Sequence, residues 1–185
     1  MGPLDLQNYY FEHRKQLADA MIDSKDIIIE ISNEFEKISG RKYELFEKYM
    51  MEDSEIAIVV LNSTAGTAKD TIDELRASGI KAGLIKPRVF RPLPYKEIAE
   101  SLKGLKAIAV MDKAVSINGM CGPLYSDIST ALFKQNISIP TVNYIYGLGG
   151  RDVKHEHLAQ VFNNLIDIAK TGKSENSTYY LGVRE

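Results

Sequence analysis

The chain has one cysteine, Cys121. A single thiol cannot close an internal disulfide, which points to a reducing compartment, and it cannot hold an iron–sulfur cluster, which takes about four thiolates. No apolar run approaches the roughly 18 residues that a membrane-spanning helix requires. Neither sign of charge dominates: Lys and Arg number 23 against 25 Asp and Glu, for a formal net charge of −2. The basic stripe that marks nucleic-acid binding is missing. Asp5, Glu12 and Asp19 near the start do not fit a signal or transit peptide. The baseline expectation is therefore a cytoplasmic protein with neither nucleic acid nor membrane as partner. At 185 residues and 44% apolar composition, the chain suits one domain with a sizeable core plus an appended element.

Two regions differ in pattern, and they divide the chain into an N-terminal helical extension packing on the domain (1–53), an α/β domain (54–172) and a C-terminal tail (173–185). From Glu12 to Ile38, Leu17, Met21, Ile28, Ile31, Phe35 and Ile38 make a heptad-like stripe interrupted at Ser24. This predicts one amphipathic helix of about 27 residues, roughly 40 Å long, with Gly40 just past its end. Such a helix either lies across the domain as a core element or reaches another subunit.

From Glu55 onward strands and helices alternate. Ile56–Leu61 is a continuous β-branched apolar run, as in a parallel strand buried on both faces. Further strands are expected near Lys81–Ile85, at Ala107–Met111 and at Thr141–Tyr146. Helices are expected after Ser63 or Thr64 as cap, after Pro94, from Pro123, and over about Lys154–Lys170. This order predicts an α/β three-layer sandwich with a mainly parallel sheet, preceded by the long N-terminal helix. The closing Tyr179–Val183 is apolar enough to dock on the domain.

In open α/β sheets ligands bind beyond the carboxyl ends of the strands, so four loops are the candidates. In the first, Ser63, Thr64, Gly66 and Thr67 offer hydroxyls and free helix N–H groups to an anion, or form a plain capped turn; no Walker lysine and no GxGxxG accompany them. In the second, Arg88 and Arg91 stand between prolines and suit either a docking surface or a bidentate clamp on an anion. In the third, Asp112 follows a strand, where it serves either catalysis or loop anchoring, and Cys121 reads as a passive small residue with no histidine near in sequence. In the fourth, Gly147, Gly149 and Gly150 permit positive φ or close approach, Arg151 offers a surface charge, and Asp152 is expected to cap the last helix. His155 and His157 are two apart on a helix and point to different sides, which excludes a shared metal. No complete catalytic, metal or cofactor site follows from these residues.

Taken together and in order, Gly2-Pro-Leu-Asp-Leu6, Tyr10-Phe-Glu-His-Arg14, Phe35 with Gly40-Arg-Lys-Tyr43, Asn62-Ser-Thr-Ala-Gly-Thr-Ala68, Phe90-Arg-Pro-Leu-Pro94, Asp112, Gly122-Pro-Leu-Tyr125 and Gly147-Leu-Gly-Gly-Arg-Asp-Val153 resemble the C-terminal part of the alpha subunit of the pyruvate:ferredoxin oxidoreductases (pyruvate synthases), within the 2-oxoacid:ferredoxin oxidoreductase family. The resemblance spans nearly the whole chain. Two departures are mild: Leu93 stands where the family has phenylalanine, and Asp112-Lys113 where it has Asp-Arg.

The resemblance implies a fold like the C-terminal domain of transketolase, following a separate domain that shares in binding thiamine diphosphate. It further implies that the complete enzyme decarboxylates pyruvate, sends electrons through iron–sulfur clusters to ferredoxin and forms acetyl-CoA. Thiamine diphosphate, the clusters and coenzyme A would then be held elsewhere in the complex, none by this chain. The chain would serve assembly and interface formation in an oligomer, with Arg88, Arg91, Asp112, Gly149, Gly150 and Arg151 as interface candidates, and would be inactive alone. The same domain of an enzyme for 2-oxoisovalerate or another 2-oxoacid, and a stand-alone phosphate or nucleotide module, are the alternatives. Gly2-Pro3-Leu4 resembles the junction after the first domain, so the chain is read either as a piece of a longer subunit or as a naturally split one.

Overall fold

The computed structural model describes residues 4–184, so Gly2 and Pro3 of the junction reading lie outside the described residues. The chain divides into two units, one taking in the residues up to Leu45 with Val89–Leu93, the other Phe46–Arg88 and the residues from Pro94 on.

The first unit is dominated by α1, Tyr10–Ser39, a helix of 30 residues that starts two residues earlier than the apolar stripe alone predicts. An i,i+4 ion pair, Lys15 to Asp19 at 2.5 Å, supports its N-terminal half. Gly40 ends it at φ 69°, with its N–H donating to the Glu36 carbonyl. Within its unit none of its residues is buried.

The second unit is a six-stranded sheet in the order β1-β3-β2-β4-β5-β6. The strands are β1 Phe46–Tyr49, β2 Ile56–Val60, β3 Ala82–Pro87, β4 Ala107–Asp112, β5 Thr141–Ile145 and β6 Thr178–Tyr180, with helices α2 Thr64–Ala77, α3 Tyr95–Leu102, α4 Pro123–Lys134 and α5 His155–Thr171 between them. All neighbouring pairs are parallel except β1 with β3, where Phe46 faces Pro87 and Tyr49 faces Leu84. The mainly parallel α/β layout expected from the strand–helix rhythm is the one observed.

Strand alternation sorts the core onto two faces. Ile56, Ile58, Val60, Ala109 and Met111 share one cluster with Ala65 and Ile72 of α2 and with Leu158, Phe162 and Leu165 of α5. Ala57, Val59, Ile108 and Val110 lie on the other face, equally buried, under the packed pair α3 and α4. Each of these large apolar side chains contributes about 1.5–3 kcal/mol on leaving water, which is why the central strands read as unbroken apolar runs.

Two elements escape the apolar pattern. In β1 only Phe46 is buried, and Glu47 and Lys48 break any run. The tail docks as β6, pairing Thr178 to Asn143, with Tyr179 stacked on Tyr144 at a ring separation of 5.1 Å. These two strands form the sheet edges.

Candidate functional site

Chain order and sheet order together locate the crevice. From β2 the chain moves to β3 on one side, then crosses back to β4, β5 and β6 on the other. The connections therefore reverse between β2 and β4, and the crevice outside their carboxyl ends is where such sheets take ligands. The loops that flank it are Leu61–Ser63 and Lys113–Gly122.

On the β2 side, Asn62 adopts φ 59°, turning the chain sharply into α2. Ser63 occupies the N-cap position but its side chain makes no capping bond, contrary to the sequence expectation that Ser63 or Thr64 caps the helix. Thr64 faces inward instead, and its Oγ1 accepts the Tyr146 hydroxyl at 3.1 Å. Burial pushes the Tyr146 hydroxyl above its ordinary range and the nearby Asp112 charge adds to this, so the phenol stays a neutral donor. Gly66 is exposed with open space around its Cα, while the Thr67 carbonyl accepts Thr71 Oγ1 at 3.0 Å.

On the β4 side, Asp112 is 3% exposed. Its Oδ1 accepts the Leu124 N–H at 2.8 Å and its Oδ2 accepts the Tyr125 N–H at 3.1 Å. Of the two roles open to it in the sequence, loop anchoring is the one its geometry serves. Burial pushes its carboxyl up, against the opposing pull of those N–H donors and of Asn143. Asn143, fully buried on β5, donates from Nδ2 to Asp112 Oδ2 at 2.9 Å and to the Val110 carbonyl at 3.0 Å, and its Oδ1 accepts the Gly122 N–H at 2.7 Å. Gly122 is required by close approach, since a Cβ there would stand 2.2 Å from Asp112 Oδ2. Cys121 Sγ lies 3.4 Å from Ser126 Oγ, with no histidine among its bonded partners.

The fourth loop joins the same end. The Tyr146 N–H donates to the Asp112 carbonyl at 3.0 Å, and Gly147, Gly149 and Gly150 take φ of 64°, 66° and 81°, as expected for this glycine-rich turn. Arg151 Nη1 donates to the Gly182 carbonyl at 2.5 Å, fixing the C-terminal tail beside the turn. A cavity of about 320 Å³ opens there, lined by Tyr146, Gly147, Leu148, Arg151, Leu181 and Arg184 among others.

Asp152 does not cap α5. The N-cap is Lys154, whose backbone N–H donates to His157 Nδ1 at 3.2 Å; the helix starts too late for Asp152 to reach it. His155 instead approaches Asp70, Nε2 to Oδ2 4.0 Å. Among the described residues no group of three or more His, Cys, Asp and Glu could hold a metal, and no helix is long and apolar enough to cross a membrane.

The first, third and fourth candidate loops thus converge, while the second does not stay whole. Arg88 lies 3.8 Å from Glu47 Oε2, and Glu47 also bonds Lys69. Arg91, in the other unit, donates to the Phe90 carbonyl at 2.7 Å and lies over the Phe90 ring. The residue that sequence reasoning missed is Asn143. Its signal was there: an amide in the middle of an otherwise apolar buried strand, which needs bonds for every polar atom.

Residues 54–158 match the family model described as pyruvate:ferredoxin oxidoreductase core domain II. The chain is 44% identical over 184 residues to the pyruvate synthase subunit PorA of Thermotoga maritima, covering 100% of this chain and 46% of that one. It is 39% identical over 183 residues to the same-named subunit of Pyrococcus furiosus, again covering 46% of it. The chain therefore spans about half the length of the curated relatives it matches. Among solved structures, a 2-oxoglutarate:ferredoxin oxidoreductase from Magnetococcus marinus superposes with a TM-score of 0.52 at 21% identity, over 67% of this chain and 20% of that one, a likeness of fold.

Proposed function

Because the chain belongs to the pyruvate:ferredoxin oxidoreductase core domain II family, we propose that it acts in the cytoplasm as the assembly and interface domain of the alpha subunit of a pyruvate synthase. In this reading the assembled enzyme converts pyruvate and coenzyme A to acetyl-CoA and CO2 and reduces ferredoxin. Thiamine diphosphate, iron–sulfur clusters and coenzyme A are held by other domains and subunits of the oligomer. The observation that carries the proposal is the family match of residues 54–158, which runs from β2 into α5. The 44% and 39% identity of this chain to the PorA subunits of Thermotoga maritima and Pyrococcus furiosus, over 46% of each subunit, supports pyruvate over other 2-oxoacids.

The site geometry supports an assembly role. Both oxygens of Asp112 are engaged by Leu124, Tyr125 and Asn143, so this carboxylate, buried at the carboxyl end of the sheet, holds the start of α4. In this reading a neighbouring subunit contacts the exposed Gly149, Gly150 and Arg151, and Arg88 where it pairs with Glu47.

The test is reconstitution with the other subunits. Pyruvate-dependent viologen reduction is expected only from the assembled complex, highest on pyruvate within a panel of 2-oxoacids; turnover by this chain alone would overturn the assembly role, and preference for 2-oxoisovalerate would reassign the substrate. A stand-alone phosphate-binding module is the second reading. The free Ser63 cap position and the open, exposed Gly66 favour it, and heat on titrating phosphate, thiamine diphosphate, coenzyme A or nucleotides into the isolated chain would support it.

A further inference from the structure

The cavity beside the glycine-rich turn, about 320 Å³ in volume, has no part in the Asp112 network. Its lining sets Leu148, Tyr180, Leu181 and Val183 around two guanidinium side chains, Arg151 and Arg184, and contains no carboxylate. Leu148, Tyr180 and Val183 are 46%, 58% and 63% exposed, so the mouth is apolar as well as cationic. Apolar walls with a few convergent polar groups are the composition of a small-molecule pocket, and this volume stands at the small end of that class, which runs from roughly 300 to 1,000 Å³.

The positive charge here is not answered within the protein. Arg151 commits Nη1 to the Gly182 carbonyl, a neutral acceptor, and among the described residues neither Arg151 nor Arg184 has a carboxylate partner. Lys113 adds a third cation. It runs past Gly147, where a Cβ would stand 2.9 Å from Lys113 Cε, and it too has no ion-pair partner among the described residues. The cavity of about 290 Å³ at the amino end of the sheet, lined by Lys81, Lys106 and Lys170, is the contrast. There each lysine faces an acid: Lys106 meets Glu55 at 2.5 Å, while Lys81 and Lys170 lie 3.9 and 3.8 Å from Asp53 and Asp167. Of the two, the carboxyl-end cavity keeps its charge uncancelled, and a guanidinium fork matches the oxygens of a carboxylate or phosphate.

We infer that this cavity is a binding site for a small organic anion, a carboxylate or phosphate monoester carried on an apolar body. Arg184 and the Arg151 nitrogens not bonded to Gly182 take the oxyanion, Lys113 adds attraction from beside Gly147, and Leu148, Tyr180, Leu181 and Val183 cover the apolar part. A pocket this small suits one ring or a short branched chain and not a dinucleotide. The inference goes beyond the assembly role and does not depend on it: Arg151 is shared with the proposed subunit contact, whereas Arg184 and the apolar walls are not.

The experiment titrates benzoate, phenyl phosphate, neutral benzamide and inorganic phosphate into the full chain and reads heat and backbone amide chemical shifts. Benzoate or phenyl phosphate is expected to bind with shifts at Gly147, Leu148, Arg151 and Leu181, and benzamide at least about tenfold more weakly. The tighter of the two anions identifies the head group as carboxylate or phosphate. Arg184→Gln should weaken that anion about tenfold, as the loss of one charge-assisted hydrogen bond does. Lys113→Gln should weaken it severalfold, an effect that fades as salt rises. Neither side chain bonds another among the described residues, so both variants should melt with the parent. Lys134→Gln, exposed at the end of α4, should bind as the parent does. Equal binding of benzoate and benzamide, or parent-like binding by Arg184→Gln, overturns the anion site. Shifts centred on residues 63–67 assign the anion to the α2 loop and overturn this placement. No heat and no shifts with any probe overturn the inference and leave the pyruvate synthase reading standing.

Discussion

Asn143 bridges β5 to the last residue of β4: its side-chain amide donates to Asp112 Oδ2 at 2.9 Å while its oxygen accepts the Gly122 N–H at 2.7 Å. One buried amide thus ties two adjacent strands to the loop that starts α4. Asn143→Leu has similar volume but leaves the Gly122 N–H and the Val110 carbonyl without this partner. An unsatisfied buried group costs about 1–3 kcal/mol, so urea unfolding should show a loss of about 2–4 kcal/mol for the pair. A loss below about 0.5 kcal/mol would mean that water takes over both bonds.

Asp112 gives this network a pH dependence. Burial raises its folded-state pKa above the ordinary value of 3.8 despite three donors. A carboxyl raised on folding holds its proton more tightly in the native state, so its contribution to stability is greatest at acid pH and declines as pH rises through the raised value. Asp112→Asn removes that titration. The stability of the parent minus that of the variant should therefore fall as pH rises above the ordinary carboxylate range and then level off; a difference that instead grows with pH would show that the N–H donors outweigh burial.

Gly122 and Gly66 make a matched pair of tests. A Cβ on Gly122 would meet Asp112 Cβ at 2.4 Å as well as its carboxylate, and this buried side chain cannot swing away without losing Leu124 and Tyr125. Gly122→Ala should cost about 1–3 kcal/mol, as overpacking does, and should blur the start of α4 in hydrogen exchange. A Cβ on Gly66, in the first turn of α2, meets nothing within 4 Å, so Gly66→Ala should be neutral or stabilising by at most about 0.5–1 kcal/mol, the preference for Ala over Gly in a helix. Thermal melts that rank the two variants in the reverse order would refute the packing assigned to both.

How much of this was legible in the sequence depends on where the bonding partners lie. The central strands announced themselves because Ile56–Val60 and Ala107–Met111 are apolar on both faces, a local signal. Strand β1 did not, because Glu47 and Lys48 are held by a register with Lys86 and Ile85 about forty residues away. The same holds in the site. Asp112 was a candidate from its place after a strand, but its role is fixed by Leu124, Tyr125 and Asn143, which only the fold brings together. Asp152 was expected to cap α5 on sequence proximity, yet helix α5 begins only at His155, after the Lys154 cap, where His157 supplies the bond.

Edge strand β1 offers the last test. Glu47 bonds Lys69 of α2 and lies within 3.8 Å of Arg88, and the Lys69 ammonium above all holds its carboxyl below the usual carboxylate range. A carboxyl depressed on folding adds stability above its unfolded pKa and loses it as pH falls through the folded value. The side chain is 29% exposed, so solvent screening limits the gain to roughly 1 kcal/mol or less. Glu47→Gln should therefore lower stability slightly at pH 7, the deficit shrinking in 1 M salt and vanishing on acidification below the ordinary carboxylate range. Glu55 bonded to Lys106 at 2.5 Å is more open, and Glu55→Gln should be nearly silent beside it. A larger effect at Glu55 than at Glu47 would show that the edge strand is held by its backbone pairing to β3 and not by its charges.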